Sequence, residues 1–219
     1  MANRPIYVAL EKFPYVERVD VEFKFYSGFA LSQKRLSIQS LHRAFQNLFP
    51  DKTALEISTK SEDRLGVELS AFNLQILLPK SGKNVSVESA FQSSKVFENG
   101  GPFRDLLYKS SYEAKTDSRL RNSGALKAFQ FFNTEFPLEP KTYFYTWLYI
   151  NALIRQRELA AEILKFDALT DIECNPKKTI NTQAEAAAVF IGLNRAGLLD
   201  AAVKTKEDFL KIVYRGDAG

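Results

Sequence analysis

Residues 85–99 read VSVESAFQSSKVFEN, and this stretch carries most of what the sequence says about the fold. Ser86 is a favourable N-cap residue, which predicts a helix that runs to about Glu98. At about 100° per residue, one stripe of this helix is polar and the adjoining arc is apolar. We expect the apolar arc to pack against the core and the stripe to lie at its edge. The polar stripe consists of Glu88, Gln92, Lys95 and Asn99.

This polar stripe combines a carboxylate, amides and an ammonium group. Glu88 lies in the predicted first turn, where the helix dipole favours an ionised carboxylate. Such a row can hold a sugar and stabilise the positive charge that develops at an anomeric carbon. The same residue types are also typical of a solvent-exposed helix face, so the periodicity alone leaves both interpretations open.

The first fifty residues contain a predicted strand and a predicted helix. From Arg18 to Phe25 apolar and charged residues alternate, which is the period of a half-buried strand. From about Ser32 the apolar residues recur at helical spacing, and Pro50 ends the segment. We interpret residues 1–53 as an N-terminal addition packed on a main domain of residues 54–219.

The main domain is predicted to begin with strands and to continue with helices. Residues 54–58 and 67–78 are apolar segments typical of strands, and a turn-rich pentad follows the second one. The predicted fold class is α+β, a helix-rich single domain with a small sheet in its N-terminal part. Beyond the turn, further helices are predicted at residues 141–155, 157–169, 183–196 and 206–214.

The composition of the 219 residues excludes several classes of protein. The 18 Phe and 9 Tyr supply enough apolar surface for a core, which excludes a disordered chain. The single cysteine, Cys174, cannot form an internal disulfide, and the single histidine, His42, offers no cluster for zinc. We expect no metal and no cofactor, so that hydrolytic chemistry rests on carboxylates, lysines or hydroxyls. For His42 we expect a flanking position beside the helical stripe.

Charge and hydropathy favour a cytoplasmic protein that can meet a phosphate-bearing partner. The formal net charge is +4, which is compatible with such a partner without requiring one. Glu11 and Lys12 interrupt the N-terminal apolar residues before a secretory signal can form. The apolar stretch at residues 144–154 is too short to span a bilayer.

Three blocks of the sequence resemble, in order and spacing, those of the NADAR family, also called YbiA-like. They are residues 55–63 (LEISTKSED), 69–73 (LSAFN) and 86–95 (SVESAFQSSK). The resemblance covers about residues 55–199, and its most specific part contains Glu88, which aligns with the active-site glutamate of the family. Ser89 stands where members often have histidine, and an Asn-Pro-Lys-Lys run replaces their glycine-rich closing loop.

The N-terminal strand and helix, together with residues 141–151 (KTYFYTWLYIN), are similar to one branch of that family. This branch is associated with DarT-type DNA ADP-ribosyltransferase toxins. The resemblance implies an antitoxin enzyme, with the cognate toxin as its functional partner. It further implies a metal-independent hydrolase that acts on ADP-ribosylated DNA and cleaves the N-glycosidic bond between the ribose and the guanine amino group. ADP-ribose is then the product.

Three residues are candidates for catalysis. Glu88 can stabilise a transition state with oxocarbenium character or activate water. Alternatively, a lysine amine attacks the anomeric carbon and releases guanine through an imine-type intermediate. Lys34, at the start of the N-terminal helix, and Lys95 are the candidates for this amine. An exposed lysine at a helix end is the other interpretation of Lys34.

The candidate substrate-binding residues are aromatic rings for stacking, amides for ribose or base edges, and a lysine with a helix N-terminus for phosphate. Each has a structural alternative, namely a core ring, a turn-capping amide or an N-cap in a basic loop. The set consists of Phe72, Asn73, Gln92, Trp147, Lys177 and Asn181.

Two other functions are compatible with the same residues. The first is a YbiA-type N-glycosidase that acts on a small ribosylamino-pyrimidine phosphate with the same glutamate. The second is a non-catalytic module that binds ADP-ribose or nucleic acid and neutralises its partner by contact.

Overall fold

The computed structural model describes residues 1–175 and 182–215, and short strands lie between helices along most of this part of the chain. The N-terminal half contains β1 (Ala2–Ala9), β2 (Val16–Phe23), α1 (Leu31–Leu48), β3 (Ala54–Glu56), α2 (Arg64–Glu68), β4 (Gln75–Leu77), β5 (Asn84–Ser86), α3 (Val87–Ser93) and β6 (Lys95–Phe97). After a 3-10 helix at Arg104–Tyr108 come α4 (Ser111–Thr116), α5 (Arg119–Asn122), β7 (Leu126–Phe131), β8 (Thr134–Phe136), α6 (Tyr143–Leu153), α7 (Arg157–Ile163), β9 (Ala168–Thr170), α8 (Gln183–Arg195), α9 (Leu199–Ala202) and α10 (Lys206–Arg215). This helix-rich α+β architecture confirms the predicted fold class.

The largest sheet has four strands in the order β2-β1-β9-β3. Strand β1 is antiparallel to both β2 and β9, whereas β3 and β9 are parallel. The alternation predicted for residues 18–25 is confirmed in β2, where Val21 and Phe23 are buried and Glu22 between them is exposed. Because β1 pairs with β9, the sheet joins strands from both sides of the predicted boundary at residue 53.

Strand β1 separates two hydrophobic clusters. Ile6 and Val8 face α1, which packs on one side of the sheet through the apolar stripe that was predicted for this helix. Tyr7 and Ala9 face the larger cluster, which contains α3, α6 and α8. A strand buried on both faces has no polar alternation, which explains why the period-two pattern does not reveal β1.

Several predicted boundaries are wrong, because strands replace the ends of two predicted helices and a helix replaces part of one predicted strand. The helix predicted to reach Glu98 ends at Ser93, because residues 95–97 form β6 and pair with β7. The helix predicted over residues 157–169 ends at Ile163, and β9 follows it. Residues 67–78 are not one strand, since Val67 belongs to α2 and only β4 is extended. Strands therefore also lie well beyond residue 80.

The predicted N-caps of two helices are confirmed. Ser86 caps α3, with its hydroxyl accepting a hydrogen bond from the Ser89 amide. Thr205 caps α10 in the same way, since the Asp208 amide donates to its hydroxyl at 3.0 Å. Helix α6 is buried almost all round, as its apolar sequence indicates. In the part of the chain that the structure describes, no helix combines the length and the apolar content needed to cross a bilayer.

We predict that Gly192→Ala destabilises the fold by more than about 2 kcal/mol. A Cβ atom at Gly192 would lie 2.2 Å from the carbonyl oxygen of Tyr15 and 2.6 Å from that of Leu10, so α8 would have to move away from the loop between β1 and β2. Thermal unfolding followed by circular dichroism should show a melting temperature lower by about 5 °C or more. Asn194→Ala, an exposed change on the same helix, is the control and should shift it little.

Candidate functional site

A cavity of about 690 Å³ lies between α3, α4 and the loop that follows β9. Its walls also include side chains from β6, β7, α6 and the first turn of α8. Cavities of this size hold ligands of cofactor dimensions. The carboxylates Glu88, Asp171 and Glu173, and the ammonium groups of Lys60, Lys95 and Lys115, line it.

Glu88 lies in the wall of this cavity, buried with 6% of its surface exposed. The Gln92 side chain, one turn later on α3, donates a hydrogen bond of 2.9 Å to Glu88 Oε1. The ammonium group of Lys115, on α4, lies 3.8 Å from the same oxygen. Glu88 and Gln92 of the predicted polar stripe thus face the cavity and are buried, which contradicts the solvent-exposed interpretation for these two residues. Asn99, the last predicted member of the stripe, lies beyond the end of the helix, is exposed and does not line the cavity.

Lys95 lines the same cavity but projects from β6 instead of α3, since the helix has already ended. Its Nζ lies 4.8 Å from the centroid of the Phe91 ring. Burial lowers the pKa of Lys95 to about 8, because desolvation disfavours the ammonium form and the positive charge of Lys115 acts in the same direction, against the attraction of Glu88. At pH 7 about a tenth of this lysine is therefore free amine.

Asp171 is a second carboxylate in the cavity wall that the sequence analysis missed. Its Oδ1 accepts hydrogen bonds from the amides of Glu173 and Cys174, both at 3.1 Å. Burial and the neighbouring carboxylate of Glu56 raise the pKa of Asp171 to about 8. The feature of the sequence that could have identified Asp171 is its position as an acidic residue directly after the residues that form β9.

Glu56 lies in a buried polar chain behind Asp171. The Thr170 hydroxyl donates to Glu56 Oε2 at 2.5 Å, and the Ile172 amide donates to Oε1 at 2.9 Å. His42 Nε2 is 2.8 Å from the same hydroxyl. Desolvation lowers the pKa of His42 to about 4. His42 is thus a neutral structural side chain behind the site.

Aromatic side chains form much of the remaining wall. Phe72 lines the cavity, and Lys115 Nζ lies 5.0 Å from the centroid of its ring. Phe91, Phe129 and Tyr145 lie together on another side, with the rings of Phe91 and Tyr145 in edge contact at 5.0 Å between centroids. The cavity therefore offers both ring faces and charges to one ligand.

Two predicted substrate-binding residues lie outside the cavity, which corrects their assignment. The Asn73 amide donates to the carbonyl oxygen of Val67 at 2.9 Å and lines a different groove, so it holds a turn. Trp147 packs against Phe136, with ring centroids 4.9 Å apart, and belongs to the hydrophobic core. The positions of both residues fit the structural alternative.

The remaining predicted residues lie at the edge of the cavity or outside the described chain. Lys34 Nζ forms an ion pair of 2.8 Å with Glu173 Oε1, and Glu173 itself lines the cavity. Lys177 and Asn181 fall within residues 176–181, outside the described residues. Within residues 1–175 and 182–215, no group of three or more His, Cys, Asp or Glu side chains could hold a metal ion.

Comparison with protein-family models gives a match over nearly the whole chain. The family model described as DarT1-associated NADAR antitoxin matches residues 2–218. The match includes β1, β2 and α1 as well as all the residues that line the cavity. No curated protein matches the chain.

We predict that Asp171→Asn stabilises the protein increasingly as the pH rises. Asp171 takes up a proton on folding between about pH 4 and about pH 8, because its pKa is raised in the folded state, so the wild type loses stability as the pH rises through this range. The amide keeps the acceptor oxygen and carries no charge. The melting temperature of the variant minus that of the wild type should therefore increase by about 3 °C or more from pH 5 to pH 8.5.

The exposed change Asp51→Asn is the control for the loss of one negative charge. A difference between Asp171→Asn and the wild type that stays constant or shrinks over this pH range would show that Asp171 is already ionised at pH 5.

Proposed function

This chain belongs to the family of DarT1-associated NADAR antitoxins, and we propose that it acts as an enzyme that removes ADP-ribose from guanine bases of DNA. The bond cleaved is the N-glycosidic bond between the anomeric carbon of the ribose and the guanine amino group. The observation that carries this proposal is the buried Glu88 carboxylate, which faces a nucleotide-sized cavity among aromatic rings and lysines. Erasing the modification neutralises the product of the toxin.

The cavity matches the chemical parts of an ADP-ribosylated base. The pyrophosphate requires positive charge, which Lys60, Lys95 and Lys115 supply. The adenine and guanine rings require flat apolar surfaces, which Phe72 and the cluster around Phe91 supply. The ribose hydroxyls require hydrogen-bonding groups such as the side chain of Gln92.

Glu88 acts on the positive charge of the transition state. As the bond from the anomeric carbon to the guanine nitrogen breaks, the sugar acquires oxocarbenium character, and a carboxylate in a site of low dielectric stabilises it. Gln92 and Lys115 hold one oxygen of Glu88. The other oxygen can accept a proton from the attacking water. The water oxygen then bonds to the anomeric carbon as the carbon–nitrogen bond breaks, and the guanine amino group leaves with the proton that Glu88 took from the water.

A lysine route uses the same cavity with the amine as the nucleophile. The amine attacks the anomeric carbon, guanine leaves with a proton, and opening of the sugar ring gives an imine that water hydrolyses to ADP-ribose. Lys95 suits this role better than Lys34, because its pKa is lowered to about 8 and it lines the cavity. Lys34 is engaged with Glu173. Glu88 serves either route as the neighbouring base.

We predict that Glu88→Gln lowers kcat by about 10²-fold to 10⁴-fold. The amide keeps the volume of the side chain and can still accept the hydrogen bond from Gln92, so the change removes the charge alone. The assay is mass spectrometry of the products from a guanine-ADP-ribosylated oligonucleotide in chelator-treated buffer. Glu22→Gln, an exposed change on β2, is the control and should keep full activity.

Activity retained in a folded Glu88→Gln variant would refute the role of this carboxylate. Wild-type protein that leaves the modification intact would refute the substrate. If Glu88→Gln still neutralises the toxin in cells while releasing no ADP-ribose, the protein acts as a binding module.

For the lysine route, we predict that borohydride added during turnover traps a covalent adduct on Lys95, whereas the carboxylate route gives no adduct. The yield should rise between pH 6 and pH 8.5, because the free amine accumulates as the pH passes the pKa of Lys95 at about 8. Peptide mapping by mass spectrometry locates the adduct. It should persist in Lys34→Met and disappear in Lys95→Met. Turnover without any adduct would favour the carboxylate route. An adduct on Lys34 would identify Lys34 as the nucleophile instead of Lys95.

A further inference from the structure

A second groove, of about 500 Å³, lies beside the cavity and shares the Phe72 side chain with it. We call it the flank groove, and its walls include Phe72, Lys83, Asn84, Tyr108 and Lys109. We propose that the flank groove binds the single-stranded DNA next to the modified guanine. This inference rests on the proposed function, since it concerns how the same substrate is held outside the cavity.

The charge of the flank groove suits a phosphate backbone. Lys83 and Lys109 line it, and none of the described carboxylates does. Lys109 lies near Asp105, Glu113 and Asp117, whose pKa values it helps to lower, so part of its charge is already balanced. Lys83 is the stronger candidate, because within the described residues it has no carboxylate partner at ion-pair distance. Cations that follow a groove track a nucleic-acid backbone.

Exposed aromatic rings continue from the cavity into the flank groove. Tyr112 lines the cavity with 70% of its surface exposed, and Tyr108 lines the groove with 57% exposed. Lys83 Nζ lies 5.3 Å from the centroid of the Tyr108 ring. Exposed rings beside lysines are the usual platform for stacking unpaired bases. A single strand fits this geometry, because bases expose their ring faces only when they are unpaired.

The floor of the flank groove is tied to the helix that carries Glu88. The Ser111 hydroxyl lies 2.7 Å from that of Ser86, which lies 2.8 Å from that of Ser89. The Ser89 hydroxyl donates to the carbonyl oxygen of Lys109 at 2.9 Å. Since Ser86 caps α3, a strand held in the flank groove is fixed relative to Glu88.

The test compares two substrates with the double variant Lys83→Ala/Tyr108→Ala. The first substrate is a nine-nucleotide single strand with one ADP-ribosylated guanine, and the second is ADP-ribosyl-guanosine, which has no flanking nucleotides. We expect kcat/KM for the oligonucleotide to fall about tenfold or more. For ADP-ribosyl-guanosine we expect a change of less than about twofold, because neither side chain lines the cavity.

A matched control exists on the same chain. Lys24 Nζ lies 4.9 Å from the centroid of the Tyr26 ring, so Lys24→Ala/Tyr26→Ala removes an equivalent lysine and tyrosine pair outside both the cavity and the flank groove. This control should leave kcat/KM unchanged for both substrates. An oligonucleotide rate that Lys83→Ala/Tyr108→Ala does not lower, or an equal loss on both substrates, would overturn the proposal.

A binding measurement separates failure of this proposal from failure of the proposed function. Fluorescence anisotropy with an unmodified, labelled single strand should show weaker binding by Lys83→Ala/Tyr108→Ala than by the wild type, and a shallower dependence on salt. If the wild type hydrolyses neither substrate but the variant loses this binding, the proposed function is refuted, whereas the binding of single-stranded DNA in the flank groove is supported. Equal binding by the variant and the wild type would refute the flank groove.

Discussion

The position of Glu88 depends on the way α3 is anchored at its N-terminus. A helix of seven residues is too short to be stable by itself, and the free amides of its first turn need partners. The Ser86 hydroxyl takes one of them, and the loop before β4 takes two more: Glu88 N donates to the Ala71 carbonyl and Val87 N to that of Leu74. The Ala71 amide in turn donates to the side chain of Gln183, at the start of α8. The Glu88 carboxylate is thus positioned by backbone groups of the loop before β4, and the side chain of Gln183 holds that loop in turn.

Burial is the second constraint on the site, because it shifts the pKa values of both its acidic and its basic side chains. It raises the pKa of Asp171 and lowers that of Lys95, so that both lie at about 8. Both groups are therefore partly neutral near physiological pH. An anionic pyrophosphate next to Lys95 would favour its ammonium form, whereas a developing cation next to Asp171 would favour its carboxylate form. The protonation state of the cavity is thus coupled to the charge of its ligand.

The sequence indicates those parts of the fold that local signals determine. The alternation in β2, the stripe of α1 and the caps of α3 and α10 are local, and the structure confirms them. By contrast, β1, β6 and β9 form because they pair with distant strands, and a short apolar run has the same composition in a helix and in a buried strand.

The same distinction applies to the candidate site. Glu88 and Gln92 share a cavity because they are one helical turn apart, a spacing that the sequence shows directly. Lys95 also lines this cavity, although it belongs to β6 and lies beyond the end of the helix. Asp171 and Lys115 join it through tertiary packing alone, and that packing also removes Trp147 to the core.

Under the proposed function, the link between the flank groove and α3 has a consequence for catalysis. A substrate held only by its ADP-ribose moiety can rotate about the bonds that lead to the guanine, and each rotation moves the anomeric carbon relative to Glu88. Contacts with the flanking strand restrict this motion, and loss of such freedom before the reaction lowers its barrier. The hydroxyl chain through Ser86 and Ser111 connects the floor of the groove to the N-cap of α3. It keeps the floor of the groove and the carboxylate in one rigid frame, so that binding energy from the strand serves to orient the bond that breaks.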